Sequence, residues 1–159
     1  MLKINFVNPI DLKNIIEQHL LWLNDDEIGT RANLAGADLT DANIVRANLT
    51  GANLTGANLT QIQGDVASIL DGNPDEVKDL LRSLIAGNID GSVYEGDCAC
   101  LVGTIAKIKG VRADTLPKDL YRPAERWFLA IRPGDTPDNS QIVAITQKWI
   151  QEWLDSRNS

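Results

Sequence analysis

The chain has 159 residues, of which 43% are hydrophobic and 23% charged, with a net charge of −7. That length allows one domain or two small ones, and the composition is that of an ordinary soluble protein. Residues 1–70 carry 4 basic and 8 acidic groups and residues 71–159 carry 11 and 14. No Lys/Arg field exists to hold nucleic acid, so direct nucleic-acid binding is not expected.

The opening MLKINFVNPI lacks the basic stretch and apolar stretch of a secretory signal. No apolar run approaches the length of a membrane span. Cys98 and Cys100 lie too close in sequence for an ordinary structural bridge. The expectation is a cytoplasmic protein with no membrane segment.

Pro9 follows Asn8, a helix-start pair, and Ile15, Ile16, His19, Leu20 and Leu23 recur at helical spacing. This predicts an amphipathic helix ahead of the next segment, RANLAGADLTDANIVRANLTGANLTGANLTQ at 31–61. There Ala returns at 32, 37, 42, 47, 52 and 57, Asn or Asp follows it, and Leu or Ile stands at 34, 39, 44, 49, 54 and 59. Five is neither the helix period nor the strand period. It fits a chain that turns a corner after each pentad, so that four corners close a coil of twenty residues. Leu34 then stacks on Leu54, Leu39 on Leu59, Ala32 on Ala52 and Ala37 on Ala57. A stack of this kind cannot leave its ends bare, and the preceding helix is the expected lid.

The pattern resembles the pentapeptide-repeat family, A-(D/N)-L-x-x, over 32–61, with Ile44 the single change at the central position. The lead-in HLLWLNDDEIGTRANL (19–34), with His19 and Trp22, is similar to the segment that often precedes such repeats. The resemblance implies a right-handed quadrilateral β-helix. Ala67 and Ile69 return to register after IQGDV, so about two coils are expected, the second irregular and ending at 71. Topoisomerase modulation by DNA mimicry, also implied by the family, is disfavoured. Two coils rise about 10 Å at the strand spacing, against about 34 Å for one duplex turn, and the pentads hold only Asp38 and Asp41, with Arg46 beside them.

After residue 71 the period is lost, which divides the chain into 1–71, a capping helix plus repeats, and 72–159, a mainly helical domain. The fold class is therefore α+β. PDEVKDLLRSLIAG reads as a helix with Val77, Leu80, Leu81, Leu84 and Ile85 on one stripe and Gly87 as its stop. NIDGSVYEGD is turn-rich and could hold a short hairpin. CACLVGTIAKIKG reads as a helix started by Asp97 and ended by Gly110, with a strand as the alternative because of Gly103. Pro123 opens a helix reaching Ile131, and RPGDTPDNS is a loop. Asp138 with Gln141 forms a capping box for a last helix bearing Ile142, Ile145, Trp149, Ile150, Trp153 and Leu154 on one face. That face is broad enough to suggest self-association through Trp149 and Trp153.

The chemistry is sparse. His19 is the single histidine and reads as a packed cap residue. Cys98 and Cys100 lack two further ligands for a tetrahedral metal, and they read as packed side chains, with a reactive thiol the alternative. No phosphate-binding loop is present, and no base–nucleophile pair is visible. No catalytic residue, metal or cofactor is expected. Tyr94, Asp97, Arg126, Trp127, Arg132, Asp135 and Asn139 lie in or beside the breaks between helices, where pockets form. Arg near a helix start receives anions, although pairing of Arg132 with Asp135 and capping by Asp138 would account for the same loop. Two readings result: a binding or assembly protein, with a homo-oligomer or a protein partner, and a phage-type binder of a small anionic nucleotide signal at Tyr94, Asp97, Arg126, Trp127, Arg132 and Asp135.

Overall fold

A computed structural model describes residues 5–6, 9–40, 42–44, 47–90, 101–116, 119 and 121–158. Strand β1 (Asn5–Phe6) precedes helix α1 (Pro9–Leu23), and β2 (Ala37–Asp38) lies within the pentads. Five further helices follow: α2 (Thr60–Gly72), α3 (Val77–Ile85), α4 (Leu101–Lys109), α5 (Pro123–Phe128) and α6 (Gln141–Arg157). Short 3-10 turns occupy Pro74–Glu76 and Ala113–Thr115. The expected start at Asp97, both cysteines, Tyr94 and residues 91–97 of the turn-rich stretch expected to hold a hairpin (88–97) lie outside the described residues, as do Asp41 and Arg46.

Two hydrogen bonds recur at the corners of the pentads. From Ala37 to Ala57, the N–H of each pentad Ala donates to the carbonyl of the Leu or Ile three residues earlier, at Leu34–Ala37, Leu39–Ala42, Ile44–Ala47, Leu49–Ala52 and Leu54–Ala57 (2.9–3.1 Å). The Asn or Asp at the second position accepts from the N–H two residues on, at Asn33, Asp38, Asn48, Asn53 and Asn58. Such side-chain turns are why Asn and Asp suit this place. At the fifth position Gly36, Gly51 and Gly56 take φ of 71°, 77° and 69°, the left-handed region where glycine is cheapest.

The chain then meets itself twenty residues later. Asn33 bridges Asn53 and Asp38 bridges Asn58, both parallel. Asn53 N–H donates to Ala32 C=O, and Leu34 N–H donates to Asn53 C=O. Leu34, Leu39, Ile44, Leu49 and Leu54 are all within 2% of full burial, each contributing about 1.5–3 kcal/mol. β1 pairs in parallel with β2, Asn5 opposite Ala37, covering one edge.

The repeat stops at Leu59, short of the expected 71. From Thr60 the chain is helical, because Ile62, Val66, Ile69 and Leu70 form a helical stripe that is buried, and that stripe outweighs the return of Ala67 and Ile69 to the five-residue register. The hydrophobic core runs without a break from Leu34 and Leu54 through Val66 and Leu70 to Leu80, Trp127 and Ile150. Helix α2 packs on α5 and α6, and α3 packs on α6 and α4.

Other elements differ in detail from the sequence pattern. In α1, Leu12 and His19 are buried while Leu20 is 48% exposed. Residues 101–109 are helix, not strand, and Gly110 (φ 73°) ends them. α5 ends at Phe128 rather than Ile131. The capping box is absent: Ser140 holds the N-cap position of α6, Asp138 is exposed, and Gln141 points to the pentads.

Candidate functional site

The corner Thr50–Gly51 and a groove between α2 and α6 both gather side chains from distant segments.

At the corner, His19 of α1 is wholly buried. Its Nδ1 accepts from Ala32 N–H at 3.0 Å, which leaves Nε2 to donate to Thr50 C=O at 2.8 Å. The imidazole is therefore neutral, with one nitrogen in each role. Burial pushes its pKa down; the bond to Thr50 pushes the other way, the charge of Arg31 pushes down again, and the net direction is downward. Arg31 Nε donates to Gly51 C=O at 2.6 Å, and Trp22 stacks on the His19 ring at 5.3 Å.

The loop RPGDTPDNS reaches the same corner from the C-terminal side. Thr50 Oγ1 lies 2.6 Å from Asp135 Oδ1, and Arg132 N–H donates to Asp135 Oδ2 at 2.9 Å. Gly51 N–H donates to Asn139 C=O at 3.1 Å, and Leu54 N–H to Gln141 Oε1 at 2.5 Å. These are backbone groups of the coil that would otherwise lack partners. The loop selected from sequence as a ligand-binding region closes the repeat.

That placement separates the residues singled out for an anionic ligand. Asp135 is 4% exposed and engaged by Thr50. Trp127 is fully buried, donates from Nε1 to Thr146 Oγ1 at 2.7 Å, and lies 5.4 Å from Trp149. Arg126 borders a crevice with Leu39, Thr40, Ala42, Ile44, Ile62, Pro123 and Trp127, of about 10 Å³, room for one water. Arg132 is not among the residues lining that crevice. Tyr94 and Asp97 lie outside the described residues.

Two carboxylates, one half-buried and one fully buried, were not singled out from the sequence. Asp65 of α2 grips Arg122 through Nε (3.1 Å) and Nη2 (2.5 Å) and accepts from Ala124 N–H at 2.9 Å. Burial raises its pKa, but the Arg122 bonds and the Ala124 N–H outweigh that and hold it below the usual value. Glu125, fully buried, accepts from the N–H groups of Leu101 and Val102 at 2.9 and 3.1 Å, capping α4. Both carboxylates join helices. Helix starts accept carboxylates readily, and only the spacing of Asp65 within a helix-compatible run hinted at its use.

The groove between α2 and α6 encloses about 230 Å³ and is lined by Gln63, Val66, Ala67, Leu70, Trp149, Glu152 and Trp153. Trp149 and Trp153, one helical turn apart, form its α6 wall, and both are half-buried. Trp153 Nε1 donates to Asp71 Oδ1 at 2.8 Å, Arg157 lies over the Trp153 ring at 4.0 Å, and Arg157 also pairs with Asp71. The opening therefore stands at the two tryptophans marked from sequence as an interaction surface. Among the described residues no group of three or more His, Cys, Asp or Glu could hold a metal ion, and no helix is long and apolar enough to cross a membrane.

Residues 30–62 match the family model for pentapeptide repeats, in eight copies. The matched segment is the one whose corners are described above. No curated protein and no solved structure matches the chain.

Proposed function

We propose that the pentapeptide-repeat segment is a rigid stub, a right-handed quadrilateral β-helix of roughly one and a half coils, that holds a non-catalytic protein-binding groove formed by α2 and α6. The groove carries the reading. It is an opening of about 230 Å³ with two half-buried indoles on one wall and Val66, Ala67 and Leu70 on the other. Indoles in such settings are the side chains that dominate binding energy at protein interfaces. An aliphatic or aromatic side chain of a partner fits a cleft of this size.

The coil is poorly suited to bind on its own account. Its backbone groups at Leu34, Gly51, Asn53 and Leu54 are used by the chain itself, and its Thr50–Gly51 corner is clamped from both flanking segments. This supports scaffolding as its role. It also counts against DNA mimicry, which needs a long charged rod.

Replacing Ala67 by Arg fills the groove from α2 without touching the core. The folded protein should keep its melting temperature while losing the partners that the parent chain retains in a quantitative capture comparison. Equal capture by both proteins would overturn the reading. Sedimentation of the pure chain tests the homo-oligomer form of the same proposal: a dimer abolished by Ala67→Arg makes a second copy the partner.

A further inference from the structure

We infer that the α2–α6 groove takes an alkylammonium side chain from its partner, lysine or its N-methylated form, rather than a purely apolar one. The inference rests on reading the groove as a docking site and adds the chemistry of the occupant.

Three observations point to a cation. Two indoles line one cleft, and an indole face attracts cations more strongly than other aromatic side chains do. The Trp153 ring already carries one, since the Arg157 guanidinium lies 4.0 Å from its centroid. A carboxylate stands beside the aromatic wall with no partner: Glu152 lines the groove, is exposed, and forms no salt bridge among the described residues. Lys148, one turn away on α6, is exposed and makes no ion pair with it either.

The rest of the lining discriminates among cations. Val66, Ala67 and Leu70 offer the aliphatic floor that a four-carbon stem covers, and the volume of about 230 Å³ admits such a stem with its head group. Arg157 holds the position over Trp153 and the carboxylate of Asp71, so an incoming cation of either kind meets the Trp149 side of the wall and Glu152. Glu152 is then the carboxylate left for the ammonium. A methylated head sheds water more easily and should bind better than the plain ammonium.

The test uses the full chain and three probes, the Nα-acetyl methylamides of lysine, Nε-trimethyllysine and Nε-acetyllysine, titrated into the protein while the indole N–H signals are followed by NMR. The signals of Trp149 and Trp153 should move with the two charged probes, trimethyl-lysine binding most tightly. The neutral acetyl probe should bind at least about fivefold more weakly. Glu152→Gln, an exposed substitution that leaves the fold intact, should weaken the charged probes about two- to fivefold and leave the acetyl probe unchanged. Equal response to charged and acetyl probes would overturn the cation while leaving an apolar docking groove. Silence toward all three would overturn the cation as well. If the capture comparison with Ala67→Arg is then also unchanged, the groove itself falls.

Discussion

Replacing His19 by Ala removes a side chain that joins the first helix to Ala32 and to Thr50, at the two ends of the first twenty-residue turn of the repeat. The variant loses an acceptor for Ala32 N–H and a donor to Thr50 C=O, each worth about 0.5–1.5 kcal/mol net. Ala32 is 1% exposed, so its N–H is left buried without a partner, at about 1–3 kcal/mol. The expected loss is about 2–4 kcal/mol at pH 7.5, read from urea denaturation followed by circular dichroism. A pH series supplies a second, independent readout. An imidazolium has two donors and no acceptor, so the protonated ring cannot receive the Ala32 N–H. Burial holds the folded-state pKa below the ordinary histidine value of 6.5, and below pH 6.5 the unfolded chain therefore binds the proton more readily than the folded one. Stability is full above that value and falls as pH drops below it, by at most about 1.4 kcal/mol per pH unit, until the lower folded-state value is reached. The charged groups facing the ring are Arg31 and, across Thr50, Asp135, and the comparison of parent and variant runs from pH 7 to 5.5. The parent should lose stability over that interval and His19→Ala should not. A variant within about 0.5 kcal/mol of the parent, below any of the losses reckoned above, or one with the same pH slope, would refute the reasoning.

Asp65→Asn should cost about 1–3 kcal/mol, because it breaks a two-pronged, partly buried pair with Arg122. The Asp65 pKa is lowered on folding, so its contribution is present above the unfolded value near 3.8 and is lost as pH falls through the folded one; acid unfolding of the variant should lack this component. Gln141→Ala should leave α6 in place but expose Leu54 N–H. Faster amide exchange at Leu54 than at Leu34, whose N–H stays bonded to Asn53, would verify that the loop and the start of α6 close the coil.

The pentads were legible because each position has one physical task, repeated at a fixed interval. Ala is small at the turn, Asn or Asp bends the chain through its own side chain, and Leu fills the interior. The end of the repeat was not legible from the same logic. Ala67 and Ile69 satisfy the five-residue register, and Ile62, Val66, Ile69 and Leu70 satisfy the helical one. Local pattern cannot choose between them; burial against α5 and α6 does. The same limit applies to RPGDTPDNS. Its polar residues and breaks fit a ligand loop as well as a closing loop, and the distinction rests on Thr50, Gly51 and Leu54, some eighty residues away in sequence. Trp149 and Trp153 were visible as excess apolar surface on one helix, but the groove they line needed α2, which the sequence assigned to the coil.

The most direct test of the proposed division of labour is quantitative capture of binding partners by three forms of the full chain: the parent, Ala67→Arg in the groove, and Ala35→Lys/Thr55→Lys at two exposed positions of the coil twenty residues apart. If the coil is scaffold and the groove binds, Ala67→Arg alone loses the parent's partners and the double variant keeps them. Loss in the Ala35→Lys/Thr55→Lys form with retention in Ala67→Arg would contradict the account and move the binding surface to the repeat.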